Sequence, residues 1–369
     1  MNYLISGGGT GGHIFPAISI ANALKQLDPE CNILFVGALG RMEMDRVPQA
    51  GYPIIGLPVR GFDRQHPVRN ISVVCDLLRS MRKAKKIIRE FRPDIGIGVG
   101  GYASGAAMKV AARMGIPILL QEQNGFAGVT NKLLCHDAAA ICVAYEGMER
   151  FFPAEKLILT GNPVRQNLEG GSKEEAAEYF RLEQDKPTLL IIGGSLGAHT
   201  INQTIIHRLP ELLQSGIQII WQTGKNYYVD CQSALAAIND DNKKHIICTD
   251  FISRMDLAYA MADVVVSRAG ASSISELCLL GKAAILVPSP NVAEDHQTHN
   301  AMALVNKEAA VMVTDAEADQ KLVAAALRLL QDKEQIASLQ HNIRQLAQHD
   351  SAMRIAKEAV RIAKNTAKQ

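Results

Sequence analysis

Short apolar runs alternate with longer segments of helical periodicity along the whole chain. In the first half, helices are predicted at 14–27, 71–91, 103–114 and 128–135. The apolar runs between them predict strands at 2–6, 31–36, 53–58, 94–99, 117–121, 139–143 and 157–160. This alternation predicts a parallel sheet that is covered by helices on both faces.

The second half repeats the alternation after a polar, glycine-bearing segment, 161–187, which we interpret as a linker. Its strands are predicted at 188–192, 217–221, 245–248, 263–267, 283–288 and 310–313. Helices fit between these strands and dominate after Asp319, and the last helix covers about 351–366. A chain of 369 residues is long enough for two such domains. The predicted fold class is therefore α/β, with two doubly wound domains facing each other across a ligand-binding cleft.

Composition and charge narrow the function classes. The net charge of +2 gives no reason to expect a nucleic-acid partner. Seven cysteines without CxxC spacing indicate reduced thiols and a cytoplasmic setting. No apolar run reaches the roughly 18–20 residues that span a bilayer. We expect no signal peptide, since Met1 leads directly into the first predicted strand.

The glycine-rich segment GGGTGGH at 7–13 follows the first predicted strand. Glycines allow a tight turn and a close approach to a ligand, and a helix start offers unpaired N–H groups to an anion. His13 adds a group that exchanges a proton near neutral pH. The segment alone is equally consistent with a strand–helix turn that carries an incidental histidine.

Two common nucleotide motifs do not fit this segment. It matches GxGxxG, but the second strand ends in Gly37 without the acidic residue that holds the ribose of NAD. No GK[ST] follows, so the segment is not a P-loop. A related strand and glycine turn, GGSLGA at 193–198, recurs in the second half.

Further polar segments follow other predicted strands, where a parallel sheet exposes its strand ends to ligands. They are GGYASG at 100–105 and QEQN at 121–124. Glu122 and Asn124 either contact a ligand or cap the next helix. Arg165, at the junction of the halves, either pairs with a phosphate or forms a surface ion pair.

The segment SRAGASSISE at 267–276 combines a glycine turn, two serines and a helix start, which suits a diphosphate. Glu276 is expected in the first helical turn, where it either stabilises the helix dipole or binds a ribose diol. EDHQTHN at 294–300 suits sugar hydroxyls. A metal site at His296 and His299 is the less favoured alternative, because a clear third ligand is missing.

Taken together, these motifs resemble the MurG family of peptidoglycan glycosyltransferases over essentially the whole chain. The matching segments are GGTGGH at 8–13, GGY at 100–102, EQN at 122–124, GNPVR at 161–165, GGS at 193–195, Arg268–Glu276 and Gln297. The resemblance implies a GT-B fold of two Rossmann-like domains and an inverting transfer without a DxD-bound metal or other cofactor. It implies that GlcNAc moves from UDP-GlcNAc to the 4-hydroxyl of undecaprenyl-diphospho-muramoylpentapeptide, which turns lipid I into lipid II.

The resemblance also implies roles for residues that bind the donor. Glu276 would hold the ribose hydroxyls, and Ile252 would lie beside the uracil. The diphosphate and ribose would be surrounded by Arg165, Ser195, Ala271, Ser272 and Ser273.

In the same way, Asn124 and Gln297 would contact the GlcNAc, and His13 would be the base for the acceptor hydroxyl. The loop facing the phosphates would include Thr10, Gly11 and Gly12. The chain departs from the commoner family pattern at four positions. Gln is frequent in the family at the positions where this chain has His296 and Leu196. His is frequent where this chain has Gln121, and Leu is frequent where it has Ser272.

The resemblance divides the chain into 1–162, which faces acceptor and membrane, and 163–349, which binds UDP-GlcNAc, with 350–369 packing back on the first domain. It implies a peripheral protein on the cytoplasmic side of the inner membrane, with cell-wall synthesis proteins as further partners. The segment 60–92 carries ten Lys and Arg against three acids. We therefore expect 68–92 to contact an anionic membrane surface, although its apolar face also suits a core helix.

Three rival functions stay open on the residues alone. A nucleotide-sugar epimerase of the same fold would need carboxylates near the sugar, and Glu122 is the candidate. An NAD-dependent oxidoreductase is disfavoured by the missing acid after the second strand. A non-enzymatic nucleotide-sugar sensor would leave His13 unexplained.

Overall fold

The structure is a computed structural model that describes residues 1–60, 70–164, 168–194, 196–239, 241–292 and 295–366. The chain divides into two compact units. Unit 1 comprises Met1–Arg165 and Gln348–Gln369, and unit 2 comprises Gln166–Ala347.

The described part of unit 1 contains one parallel sheet of seven strands. These strands are β1 (Asn2–Ser6), β2 (Asn32–Ala38), β3 (Ile54–Leu57), β4 (Ile95–Gly98), β5 (Ile118–Glu122), β6 (Ala140–Val143) and β7 (Leu157–Leu159). Their order across the sheet is β3-β2-β1-β4-β5-β6-β7. The connecting helices are α1 (Gly11–Leu27), α2 (Glu43–Gln49), α3 (Asn70–Phe91), α4 (Tyr102–Arg113) and α5 (Val129–Leu134).

Unit 2 has a second parallel sheet, whose six described strands follow the order β10-β9-β8-β11-β12-β13. These strands are β8 (Thr188–Ile192), β9 (Gln218–Gln222), β10 (Ile246–Thr249), β11 (Val264–Ser267), β12 (Ala283–Leu286) and β13 (Val311–Met312). The helices are α6 (Lys173–Phe180), α7 (His199–His207), α8 (Leu209–Gln214), α9 (Tyr228–Ala237), α10 (Met255–Met261), α11 (Ala271–Leu280), α12 (His296–Val305), α13 (Ala318–Gln331) and α14 (Lys333–Arg344).

The thirteen predicted strands are confirmed, with end points shifted by at most two residues. Strands that are covered on both faces consist of nearly continuous apolar residues, and this makes them recognisable in the sequence. In β8, for example, all five residues are buried.

The predicted linker was wrong in one respect, since 161–187 contains helix α6. The side-chain oxygen of Ser172 accepts a hydrogen bond from the N–H of Glu175 at 3.1 Å, which is the capping pattern S-x-x-E. Ala176 and Phe180 are buried one helical turn apart. A cap and a short apolar face therefore form a helix in a segment whose overall composition is polar.

The last helix, α15 (Ser351–Thr366), packs on unit 1. Its buried residues join the core around Tyr3 and Ile5; they are Ile355, Ala356, Ala359, Ile362 and Ala363. Arg354 donates to the carbonyl of Leu159 at 2.6 Å and so connects the helix to the edge strand β7. In the described part of the chain, no helix is long and apolar enough to cross a membrane.

The strand order places a switch point in each sheet. In unit 1, β1 and β4 are neighbours, and the chain continues from β1 toward one side of the sheet and from β4 toward the other side. In unit 2, β8 and β11 are neighbours with the same arrangement. Ligands of doubly wound sheets bind at the carboxyl ends of the strands beside such a point. The loops that follow these four strands are those that carried the glycine and serine motifs.

Candidate functional site

At the switch point of unit 1, the loop after β1 packs directly on the loop after β4. Gly100 and Gly101 have φ angles of +94° and +90°, in a region that favours glycine. A β-carbon on Gly101 would lie 2.5 Å from the carbonyl oxygen of Gly8. The GGY segment therefore needs its glycines both for backbone conformation and for close contact with the first glycine loop.

His13 lies in the first turn of α1 and is half-buried. Its Nδ1 is 3.1 Å from the carbonyl oxygen of Gly8 and 3.3 Å from the side-chain oxygen of Thr10. Because a carbonyl oxygen only accepts, it favours the neutral tautomer with the proton on Nδ1. The lone pair of that tautomer is on Nε2, the atom that can take a proton from a substrate.

Glu43 is a residue that the sequence analysis missed. Its carboxylate is fully buried and accepts hydrogen bonds from the N–H of Gly9 at 2.9 Å and of Ala38 at 3.0 Å. Glu43 thus connects the first glycine loop to the end of β2. Dinucleotide-binding proteins use an acid after the second strand to hold a ribose, whereas Glu43 in this chain binds backbone N–H groups. Its position soon after the second strand was the sequence signal that could have identified it.

Glu122 organises its own loop. Its two carboxylate oxygens accept four hydrogen bonds, from the N–H and side-chain nitrogen of Asn124, the N–H of Gly128 and the side chain of Asn131. Gly128 is the N-cap residue of α5. The capping alternative therefore describes Glu122, while Asn124 is held in place by it.

A buried cluster of amide side chains lies below this loop. Gln121 donates to Asn162 at 3.0 Å, Asn162 donates to the carbonyl of Gln123 at 2.9 Å, and Gln123 donates to the carbonyl of Val99 at 2.8 Å. The cluster fixes the ends of β4 and β5 relative to each other. Gln121, one of the four departures from the family pattern, thus has a hydrogen-bonding role in this chain.

In unit 2, the glycine loop after β8 packs on the loop after β9. Gly197 has a φ of +82°, and a β-carbon there would lie 2.1 Å from the carbonyl oxygen of Thr223. Gly224 is equally constrained, by the backbone of Gly197. Two predicted donor-binding residues, Ser195 and Arg165, lie outside the described residues.

Helix α11 begins at Ala271, after the N-cap residue Gly270, and places Ser272 and Ser273 in its first turn. The hydroxyl oxygen of Ser272 is buried and has no hydrogen-bond partner among the described residues. The helix start therefore presents N–H groups and hydroxyls together, an arrangement that suits an anionic group.

The expectation that Glu276 lies in the first turn was wrong. It is the sixth residue of α11 and therefore lies in the second turn, where a helix dipole has little effect. The carboxylate is almost fully buried, and Oε2 accepts a hydrogen bond from the hydroxyl of Tyr259 at 3.0 Å. Of the two interpretations, this position favours ligand binding over stabilisation of the dipole.

Arg268 connects the loops around the switch point of unit 2. It forms an ion pair with Asp315 and donates to the carbonyls of Val287 and Pro288, each at 3.2 Å. Asp315 also accepts from the hydroxyl of Thr200 at 2.8 Å. Arg268 thereby fixes the loop that leads into α11.

Gln297 lies in the first turn of α12, and its side-chain oxygen accepts from the N–H of Ser289 at 2.9 Å. Asp295 precedes the helix and accepts from the hydroxyl of Thr298 at 2.7 Å. Among the described residues, which include His296 and His299, no three His, Cys, Asp or Glu are grouped to hold a metal.

Ile252 follows the carboxyl end of β10, at the same end of the strands as the other candidate loops of unit 2, and is buried. Its N–H donates to the side-chain oxygen of Gln222 at 3.0 Å, and the side-chain nitrogen of Gln222 donates to the carbonyl of Gly194 at 3.3 Å. Gln222 was not among the candidate residues expected from the sequence. The available signal was its position at the end of β9, between two strands whose following loops carry candidate residues.

Two doubly wound units, each with a polar loop cluster at its switch point, are the domains of a GT-B fold. The models of the glycosyltransferase family 28 N-terminal and C-terminal domains match residues 3–143 and 188–358. The chain belongs to glycosyltransferase family 28.

Relatives match nearly the whole chain. A protein of Parabacteroides distasonis is 59% identical over 97% of both chains. A protein of Flavobacterium psychrophilum is 49% identical, with 98% of this chain and 97% of the relative covered. Both are named UDP-N-acetylglucosamine--N-acetylmuramyl-(pentapeptide) pyrophosphoryl-undecaprenol N-acetylglucosamine transferase.

Solved structures share the fold. The crystal structure of Acinetobacter baumannii MurG is 27% identical and covers 98% of this chain and 99% of its own, with a TM-score of 0.77. A UDP-N-acetylglucosamine 2-epimerase from Listeria monocytogenes, titled as putative, covers 96% and 94% at 13% identity, with a TM-score of 0.66. The latter similarity shows the fold alone.

Proposed function

We propose that this chain transfers GlcNAc from UDP-GlcNAc to the 4-hydroxyl of the MurNAc of undecaprenyl-diphospho-muramoylpentapeptide, converting lipid I into lipid II in peptidoglycan synthesis. The observation that carries the proposal is the 59% identity over 97% of both chains to a relative with that named activity. The geometry of each unit supports a division of labour, in which unit 2 binds the donor and unit 1 activates the acceptor.

Unit 2 supplies groups for each part of the donor. Glu276 accepts hydrogen bonds from the ribose hydroxyls, and the backbone at Ile252 contacts the uracil. The start of α11 receives the diphosphate through its N–H groups and through Ser272 and Ser273, together with Ser195. Arg165, which belongs to unit 1, is the further diphosphate-binding residue. Negative charge grows on this diphosphate as UDP leaves. Hydrogen-bond donors that already surround it therefore lower the barrier to the transfer.

Unit 1 supplies the base. The acceptor hydroxyl attacks the anomeric carbon, the bond from that carbon to the UDP oxygen breaks, and Nε2 of His13 takes the hydroxyl proton. A single displacement of this kind inverts the anomeric configuration. Asn124 and Gln297 contact the GlcNAc, and the phosphates face Thr10, Gly11 and Gly12.

The geometry around Glu122 disfavours the epimerase alternative. An epimerase needs a carboxylate directed at the sugar ring, whereas both oxygens of Glu122 accept hydrogen bonds from its own loop and α5. Those four bonds hold both carboxylate oxygens to the protein itself, so neither is directed at a sugar ring.

We further propose that α3 is the contact with the anionic inner-membrane surface on the cytoplasmic side. Its buried face includes Val73 and Ile87, whereas Val74 is 46% and Leu78 is 51% exposed. Exposed cations lie along the same helix, namely Arg79, Arg82, Lys85 and Lys86. Apolar contact and cations together suit peripheral binding to anionic lipid. Residues 68 and 69 of the expected segment lie outside the described residues.

The transfer is tested by product analysis with UDP-GlcNAc and the lipid-linked muramoylpentapeptide. The expected product is the acceptor with one added N-acetylhexosamine in β linkage, formed together with UDP. Formation of an epimeric UDP-sugar without acceptor, or of no product with either substrate, would contradict the proposal.

A further inference from the structure

The side chain of Gln222 connects two loops across the end of a central strand of unit 2. Gln222 is the last residue of β9, which lies between β10 and β8. Its side chain is 6% exposed. Through Oε1 it accepts from the N–H of Ile252, after β10, and through Nε2 it donates to the carbonyl of Gly194, after β8.

We propose that Gln222 is a positioning residue for the donor nucleotide. The inference rests on the proposed function, in which Ile252 lies beside the uracil and the Gly194 loop lies near the diphosphate. By bonding to both loops, one carboxamide fixes the distance between the part of the protein that contacts the base and the part that contacts the phosphates. Holding both parts in place before the nucleotide arrives lowers the ordering cost of binding and so strengthens it.

Backbone contacts next to Gln222 also limit how far the loops after β8 and β10 can move apart. The N–H groups of Thr223 and Gly224 donate to the carbonyls of Thr249 and Asp250 at 2.9 and 3.2 Å, so pairing of the two chains continues beyond β9. Gly224 in turn packs on Gly197 of the glycine loop. These bonds hold the segment that precedes Ile252. Gln222 then supplies the acceptor for the next backbone group, the N–H of Ile252.

A carboxamide is neutral and both accepts and donates hydrogen bonds. A methionine at position 222 has a similar length, but it leaves the N–H of Ile252 and the carbonyl of Gly194 without these bonds. A glutamate keeps an acceptor for Ile252 but cannot donate to Gly194 when ionised, and it adds a negative charge near the proposed diphosphate site.

The same strand contains a matched control. Gln218, the first residue of β9, is fully buried, and its Oε1 accepts from the N–H of Glu183 at 2.6 Å. Its Nε2 donates to the carbonyl of Glu183 at 2.8 Å and to the hydroxyl of Thr188 at 3.2 Å. Gln218 therefore has the same chemistry and burial as Gln222, at the edge of the sheet opposite to the proposed donor site.

The test compares Gln222→Met, Gln222→Glu and Gln218→Met in the full chain. UDP binding is measured by calorimetric titration, folding by thermal melting, and KM for UDP-GlcNAc and kcat by transfer to the lipid-linked acceptor. We expect both Gln222 variants to bind UDP at least about tenfold more weakly, with KM raised more than kcat is lowered, because the lost contact acts on binding. Gln218→Met is expected to melt earlier and to bind UDP within twofold of the wild type.

Unchanged UDP affinity in a folded Gln222 variant would overturn the inference, and so would equal losses of affinity in Gln222→Met and Gln218→Met. Gln222→Glu keeps the test decisive if Gln222→Met does not fold. If the wild type itself fails to bind UDP in the same titration, the proposed donor is wrong and this inference is overturned with it.

Discussion

The imidazole of His13 lies so close to the α-carbon of Gly100 that a β-carbon added there would come within 2.7 Å of Cδ2 and 2.8 Å of Nε2. The ring is thus held between the carbonyl of Gly8 on its Nδ1 side and the GGY loop after β4 on its Nε2 side. The glycine of the GGY motif leaves room for the atom that the proposed mechanism uses as the base.

Gly100→Ala is therefore expected to displace the His13 ring and to lower turnover at least about tenfold, since a misplaced base transfers protons poorly. UDP affinity should stay within twofold of the wild type. The matched control is Gly115→Ala, because Gly115 also has a positive φ, +78°, but has no atom within 4 Å of an added β-carbon. Equal turnover in the two variants would show that backbone strain, rather than contact with His13, sets the effect.

Glu43→Gln tests the buried connection between the first glycine loop and β2. The substitution replaces one accepting oxygen by an NH2 group that faces a backbone N–H, and hydrogen bonds to a charged group contribute about 1.5–3 kcal/mol. A melting temperature lower by about 2–4 °C for each kcal/mol is expected, with reduced turnover, because Gly9 lies in the loop that precedes His13. Asp45→Asn, at an exposed acid of the same helix, is the control and should change neither quantity.

Glu276→Ala is expected to weaken UDP-GlcNAc binding by roughly 1.5–3 kcal/mol, about 10- to 150-fold, if the carboxylate holds the ribose hydroxyls. Tyr259→Phe removes the hydroxyl that donates to Glu276 and should cause a smaller loss of the same kind. Calorimetric titration and thermal melting separate the possible roles. A lower melting temperature with unchanged donor affinity would assign Glu276 a structural role only.

Replacing Arg82, Lys85 and Lys86 by Gln should reduce binding to vesicles that contain anionic lipid. Cations near such a surface contribute about 1 kcal/mol each, and the effect should shrink as salt is raised. Lys83 is kept, because its Nζ donates to the carbonyl of Gly56 at 2.8 Å.

A unit 2 variant with the same change of charge, Lys244, Arg328 and Lys333 to Gln, serves as the control in co-sedimentation. We expect it to bind vesicles like the wild type. Equal binding by all three proteins at every salt concentration would remove α3 as the contact surface.

The sequence was sufficient to predict the strands and the loops that follow them, because a buried parallel strand is a local apolar run and topology places its end at the ligand edge. It was not sufficient for contacts between residues far apart in the chain. Glu43 contacts Gly9 across 34 positions, and Gln222 contacts Ile252 across 30. Glu276 lies one turn later in its helix than the pattern predicted, since the start of a helix is less visible in a sequence than its apolar face.

In the proposed function His13 activates the acceptor while unit 2 binds the donor, so the two steps are separable. The most direct measurement is the turnover number and the UDP-GlcNAc dissociation constant of His13→Ala, determined side by side with the wild type. We expect a turnover number lower by about a hundredfold or more, with donor affinity within a few-fold of the wild type. Near-normal turnover would show that His13 is not the base.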